Sequence, residues 1–310
     1  MRKVLFVVGL MFVTTRWASP PVALGLGLSF GLVFANPLAK HAQALSKRLL
    51  QVCVAGLGFS MNLHEVMKIG RSGFIYTILG IAFVMMVGMS LARFLKVTSN
   101  NGFLIAVGTA ICGGSAIVAV GPVVEATDEE MSVSLGTVFI LNSVALILFP
   151  MVGNALGLTQ EQFGLWADLA IHDTSSVVGA GIKYGAVALT VATTVKLARA
   201  MWIAPVALVA ATRKRHWSEI KWPWFILFFV AAAVINTYLA PRLPMDPKVF
   251  SIASSLSRTG LILTLYLIGS NISRAMITKI GVRPLLHGTL LWLIVTVISL
   301  GLIYKRIIVL

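Results

Sequence analysis

The residues of this chain best suited to chemistry are His172 and Asp173, in "AIHDTSSVVGAG" (residues 170–181). Placed in an apolar run, an aspartate costs a few kcal/mol, so it faces a partner or a water-filled cavity. An imidazole changes charge near neutral pH, which makes the pair a proton carrier and assigns coupling to His172 and Asp173. A plainer reading puts "IHD" near an interface, where water solvates it and Asp173 caps a half-helix. Thr174, Ser175 and Ser176 follow directly and are counted with the substrate-binding groups.

Two cations stand further on, in "ATTVKLARAMWIAP" (192–205), where Lys196 and Arg199 are three residues apart and share a helix face. Arg199 is near enough to the "RKRH" cluster (213–216) to snorkel towards water, whereas Lys196 is deeper. Buried cations suit an anionic substrate, or they balance Asp173. Asn142, with Ser143 beside it, supports the site by bonding between helices; Asn271, beside Gly269 and Ser270, has a stronger claim to line it. Among these residues there is no HExxH, nucleophile elbow or phosphate loop, so an enzyme is not expected and neither a cofactor nor a metal is implied.

A second stretch, "GTAICGGSAIVAVGP" (108–122), places two glycines, a serine and a proline inside an apolar run. Each weakens a helix. A helix broken there presents free N–H groups at one half and free carbonyls at the other, and the N-terminal half-helix dipole favours an anion. The expectation is that residues 112–115 are non-helical at mid-membrane, with Cys112, Gly113, Gly114 and Ser115 binding substrate. The competing reading is that these small residues simply permit tight helix packing.

The elements that must position these groups are membrane helices. Of 310 residues, 58% are hydrophobic and 11% charged, and the mean hydropathy is +0.94. The apolar runs recur along the whole length, the pattern of a polytopic helical membrane protein. Spans are expected near 4–16, 20–36, 47–63, 73–95, 101–124, 132–153, 163–182, 186–211, 223–240, 252–272 and 285–304. The first is short and is read as a retained helix, not a signal peptide. The seventh is unusually polar.

The formal charge of +15 lies in short clusters between apolar runs, which excludes a nucleic-acid face and gives an orientation. A cytoplasmic N-terminus puts Lys40, Lys47, Arg48, Arg93, Lys96, the 213–216 cluster, Arg274, Lys279 and Arg283 inside, and the acidic loop Glu125–Glu130 outside. Lys68, Arg71, Lys305 and Arg306 run against that assignment. Cys53 and Cys112 are expected as free thiols.

Two internal echoes organise the runs. Residues 110–121 overlay 170–181 at an offset of sixty, matching Ala, Ile, Ser, Val and Gly around a polar interruption. "GFSMNLHEVMKIG" (58–70) overlays "GSNISRAMITKIG" (269–281). Internal symmetry with interrupted helices points to a secondary transporter. The expected arrangement is one all-α integral membrane domain over 1–310, with approximate repeats at 20–153 and 163–304.

The motifs "GTAICGGSAIVAVGPVV", "LNSVALILFP", "AIHDTSSVVGAG" and "VKLARAMWIAP", in that order, resemble the bacterial UPF0324 or YeiH-like family, whose members are often labelled sulfate exporters. The resemblance spans nearly the whole chain. It implies ten or eleven transmembrane helices with inverted repeats and crossing interrupted core helices, similar to sodium/proton antiporters and bile-acid-transporter-like folds. It also implies a bacterial inner-membrane location and export of a small anion such as sulfate or a sulfonate. The alternatives are a sodium- or proton-coupled antiporter or organic anion carrier, and, further off, a membrane-embedded enzyme. Expected partners are the anion, a coupling H+ or Na+, and the lipid bilayer; a homo-oligomer is compatible with the sequence.

Overall fold

A computed structural model describes residues 2–15, 17–34, 36–203, 205–206, 209, 224–240 and 248–308. The "RKRH" cluster and the end of the expected span 186–211 lie outside the described residues. Among those residues every regular element is helical. The order is α1 (Arg2–Val13), α2 (Pro20–Phe34), α3 (Ala39–Leu57), a 3-10 turn at Gly58–Ser60, α4 (Leu63–Phe94), α5 (Ser99–Ala110), α6 (Gly114–Val120) and a second 3-10 turn at Pro122–Val124. Then come α7 (Asp128–Ala155), α8 (Gln160–Ala170), α9 (Thr174–Tyr184), α10 (Ala186–Ala200), and α11 (Trp224–Val234), which runs into a π-turn at Ile235–Leu239. The last are α12 (Lys248–Asn271), α13 (Arg274–Ile280) and α14 (Val282–Tyr304).

Local sequence sets several of these boundaries. Thr127 with Glu130 and Thr159 with Gln162 form reciprocal capping boxes that start α7 and α8. Gly157, at φ 63°, follows the end of α7 in the left-handed region where a side chain is disfavoured. Segments Tyr76–Phe94, Glu129–Ala155, Val249–Asn271 and Val282–Tyr304 are long and apolar enough to cross a membrane, and Pro20–Phe34 and Leu227–Leu239 are shorter apolar helices. The expected spans 101–124 and 163–182 are each split in two, as α5–α6 and α8–α9. The protein is an all-helical polytopic membrane protein.

The chain divides into two compact units. The first comprises residues 1–69 and 223–274. There α2 and α12 cross at backbone distance: a methyl group on Gly269 would lie 2.7 Å from the Leu24 carbonyl oxygen and 2.8 Å from the Leu28 nitrogen. Gly27 and Gly31, four apart on α2, face the carbonyls of Tyr266 and of Gly269, Ser270 and Ile272, the small-residue contact typical of membrane helices. Beside that contact Phe6, Phe30 and Tyr266 cluster, and the Tyr266 hydroxyl donates to the Phe6 carbonyl at 3.1 Å.

The second unit comprises residues 70–222 and 275–310. Its core holds α5 and most of α8, α9 and α10, whose residues are largely buried on every face. Phe149 of α7 stacks on Trp166 of α8 at 4.2 Å. A helix buried all round has no polar face to solvate it, so any polar group it carries must find a partner inside the protein.

Candidate functional site

Both interruptions expected from sequence are present, in the second unit, and they touch. The first spans Ile111–Gly113, between α5 and α6; the second spans Ile171–Asp173, between α8 and α9. They keep the offset of sixty: helix resumes at Gly114 in one and at Thr174 in the other. A methyl group on Gly113 would sit 3.2 Å from Asp173 Cα and 3.3 Å from its Cβ and N, so the two irregular segments cross backbone against backbone.

The two breaks satisfy their backbones differently. At the first, the Gly113 N–H reaches the Gly108 carbonyl at 2.8 Å, and Gly113 adopts φ 64°, ψ −127°, a conformation that glycine takes without strain. The break is shorter than the expected 112–115, because Gly114 and Ser115 already lie in α6 and Gly113 alone needs a positive φ. Gly114 serves packing instead: a methyl group there would meet the Phe139 ring at 2.9 Å. The Cys112 thiol, also in this turn, is buried.

At the second break, side chains close both half-helix ends. The Lys196 ammonium, on α10, donates to the Asp168 carbonyl at 3.0 Å and to the Ile171 carbonyl at 2.9 Å. Trp292 Nε1, on α14, donates to the Ala170 carbonyl at 2.9 Å. On the other side, Asn142 Oδ1 accepts from the His172 and Asp173 N–H groups at 3.0 and 3.3 Å. Asp173 Oδ2 accepts from the Ser175 and Ser176 N–H groups at 3.1 and 3.3 Å and from the Ser175 hydroxyl, the N-cap of α9. Asp173 therefore does cap a half-helix, and it does so buried, at 5% exposure.

Sequence reasoning passed over Asp168. Its carboxylate lies 3.8 Å from Lys196 Nζ and 3.7 Å from Arg199 Nε, with all three side chains at 2% exposure or less. Arg199 is thus held inside by a counter-charge and does not snorkel. Two of the three donors of Lys196 are used on carbonyls, and the third side of the ammonium faces Asp168. The signal for Asp168 was present: two cations three apart on a buried helix need an acid, and Asp168 is the acidic residue immediately before Asp173 in the chain. Trp292 could not be read this way, because tryptophan looks apolar until its N–H is seen to close a helix end.

The arrangement gathers Cys112, Gly113, Gly114, Ser115, Asn142, Asp168, His172, Asp173, Thr174, Ser175, Ser176, Lys196 and Arg199 within the second unit. It does not gather Asn271, which belongs to the first, where the partly buried Asn36 amide donates to Ser270 Oγ and Asn271 Oδ1 at 3.0 Å each. Within the crossing the formal charges of Asp168, Asp173, Lys196 and Arg199 cancel. Both ring nitrogens of His172, Asn142 Nδ2 and Thr109 Oγ1 are buried without a hydrogen-bond partner among the described residues. Such groups are costly to leave unpaired, so they are the natural contacts for a proton, a water or a bound ion. An apolar cavity of about 500 Å³, walled by Ile78, Met85, Phe103 and Trp202, lies in the same unit but is lined by none of the crossing residues.

Residues 6–288 match a family described as conserved hypothetical protein 698. The chain is 46% identical over 292 residues to a UPF0324 membrane protein of Bacteroides thetaiotaomicron, covering 94% of this chain and 88% of that one. It is 48% identical over 292 residues to a UPF0324 membrane protein of Porphyromonas gingivalis, covering 93% and 88%. A UPF0324 membrane protein of Geobacter sulfurreducens is 43% identical over 300 residues, covering 97% and 96%. No solved structure matches. With such agreement along almost its entire length, the chain belongs to the UPF0324 family of membrane proteins.

Proposed function

We propose that this protein is a secondary active transporter that exports a small anion, such as sulfate or a sulfonate, by alternating access in the bacterial inner membrane. The observation that carries the reading is the contact between two interrupted helices at Gly113 and Asp173, deep in one unit and beside four balanced buried charges. Irregular backbone inside a membrane protein is tolerated where it is enclosed by protein or lines a substrate path.

Charge balance then dictates coupling. Because Asp168, Asp173, Lys196 and Arg199 already cancel, an entering anion leaves the crossing with uncompensated negative charge unless a proton is held there while it is bound. His172, with both ring nitrogens unpartnered among the described residues, is placed to take that proton, and Asp173 to exchange one. Lys196 and Arg199 contribute positive potential from behind Asp168. Flux of labelled sulfate in proteoliposomes tests this. A pH gradient should drive uptake, a sodium gradient alone should not, and Gly113→Val should abolish flux while leaving the protein in the membrane.

A second reading rests on the Asp173 carboxylate. Its Oδ2 is held by two N–H groups and a hydroxyl at the crossing, a position from which a carboxylate also binds a cation. Sodium-driven flux, lost in Asp173→Asn, would replace the proton-coupled exporter with a cation-coupled carrier.

A further inference from the structure

We infer that the first unit carries an oxyanion-binding site of its own, centred on Arg258 and Ser254, for a sulfate-, sulfonate- or phosphate-type head. A cavity of about 510 Å³ opens there between three elements. The 3-10 turn at 58–60 supplies Phe59 and Ser60, the π-turn at 235–239 supplies Asn236, and α12 supplies Phe250, Ser251, Ser254, Ser255 and Arg258. On α12 the polar members step by three, four and seven residues from Ser251, so they form one stripe facing the cavity.

The chemistry of the described lining is one-sided: hydroxyls, an amide and a guanidinium, with no carboxylate among the described residues. Arg258 makes no ion pair or hydrogen bond with the described residues. It stands about ten residues into the apolar segment Val249–Asn271, roughly 14 Å along the helix, with its side chain exposed at the cavity. An arginine inside such a segment normally has a partner or a task. Ser254 gives an independent indication. It lines the cavity, is only 6% exposed, and its hydroxyl has no hydrogen-bond partner among the described residues. Asn236 uses one amide N–H on the Met61 carbonyl at 3.2 Å and keeps the other. A guanidinium fork, a buried hydroxyl and an amide N–H make a donor set that an oxyanion satisfies and a cation does not. The Phe59 and Phe250 rings, 5.8 Å apart, give the cavity an apolar wall beside these donors, so it has room for an organic group on the anion. None of the crossing residues contributes, and the site stands or falls independently of the transport reading.

The purified full-length protein in phosphatidylcholine nanodiscs, titrated calorimetrically with sulfate, phosphate and methanesulfonate against a chloride control of equal ionic strength, tests the site. Nanodiscs containing phosphatidylglycerol separate the two sources of the head group. Oxyanion affinity should fall about tenfold or more in Arg258→Gln and by a smaller factor in Ser254→Ala, and persist in Gly157→Ala. Free oxyanion binding in phosphatidylcholine, lost in Arg258→Gln, identifies a soluble ligand. Arg258-dependent retention of phosphatidylglycerol without binding of the free ions identifies a lipid head group. Thermal melting reports whether each variant is folded; where Arg258→Gln is not, Ser254→Ala decides. Oxyanion and phosphatidylglycerol binding that are both absent, or both unchanged in the folded variants, overturns the proposal.

Discussion

Each unit repeats one interrupted-helix motif, but the two put it to different use. In the second unit the breaks at 111–113 and 171–173 cross while fully buried, and at the second of them Lys196 and Asp173 close the helix ends. In the first unit the corresponding pair is 58–62 and 272–273. At that pair the Met61 N–H bonds to the Gly58 carbonyl and the Ile272 N–H to the Gly269 carbonyl, each at 3.1 Å, and helix resumes at Leu63 and at Arg274. The hydrogen bonds beside these breaks join neutral groups, Asn36 with Ser270 and Asn271 and Asn236 with the Met61 carbonyl, while Arg258 lines the adjoining cavity without an ion pair among the described residues. What distinguishes the second unit is that the break at 171–173 is closed by charged side chains whose formal charges cancel with those of Asp168 and Arg199.

The comparison breaks most visibly when that balance is removed. Lys196→Met takes away two hydrogen bonds to carbonyls and leaves Asp168 with Arg199 as its remaining ion-pair partner. A loss of about 3–5 kcal/mol is expected in equilibrium unfolding of the detergent-solubilised protein. Pairing Lys196→Met with Asp168→Asn should restore part of it, and an additive double variant would show that the pair is not coupled.

Glycine gives the next largest effect. Gly113 and Gly157 share nearly the same positive φ, 64° and 63°, but a methyl group on Gly113 meets Asp173 whereas one on Gly157 meets nothing within 4 Å. Gly157→Ala should lower stability by about 1 kcal/mol from backbone strain alone. Gly113→Ala should lower it by about 1–3 kcal/mol, the excess combining the crossing contact with the strain of ψ −127°. Equal losses in thermal unfolding would mean that the crossing adds nothing.

In the first unit, Gly269→Ala should cost about 1–2 kcal/mol by pushing α2 from α12, with no change in anion flux. Smallest is Asn271→Ala, which removes one partly buried amide contact and should cost about 1 kcal/mol. An effect of Asn271→Ala on flux larger than that of Asn142→Ala would reverse the comparison.

Much of this was legible in the chain. The offset of sixty located both breaks of the crossing to within a residue or two, because glycine and the Asn/Asp/Ser class mark the places where a helix can stop. The echo of 58–70 with 269–281 located the second pair. The depth of Lys196 followed from its distance to the nearest loop. Partnership did not follow. Asp168 with Lys196 and Arg199, and Trp292 with Ala170, join residues 28 to 122 positions apart, and helical periodicity carries no information about which faces meet. Asn271 was grouped with the crossing because its motif looks alike, whereas the fold assigns it to the other unit.

Cys112 offers the most direct test of the central claim, that the crossing becomes a water-exposed path during transport. It is 1% exposed at the first break, and Cys53 is the chain's only other cysteine. In transporting proteoliposomes of Cys53→Ala, the rate at which a water-soluble thiol reagent modifies Cys112 should be low at rest. It should change severalfold when sulfate and a pH gradient are supplied, and modification should stop flux. A Cys112 that stays unmodified throughout active sulfate flux would place the path elsewhere and contradict the account.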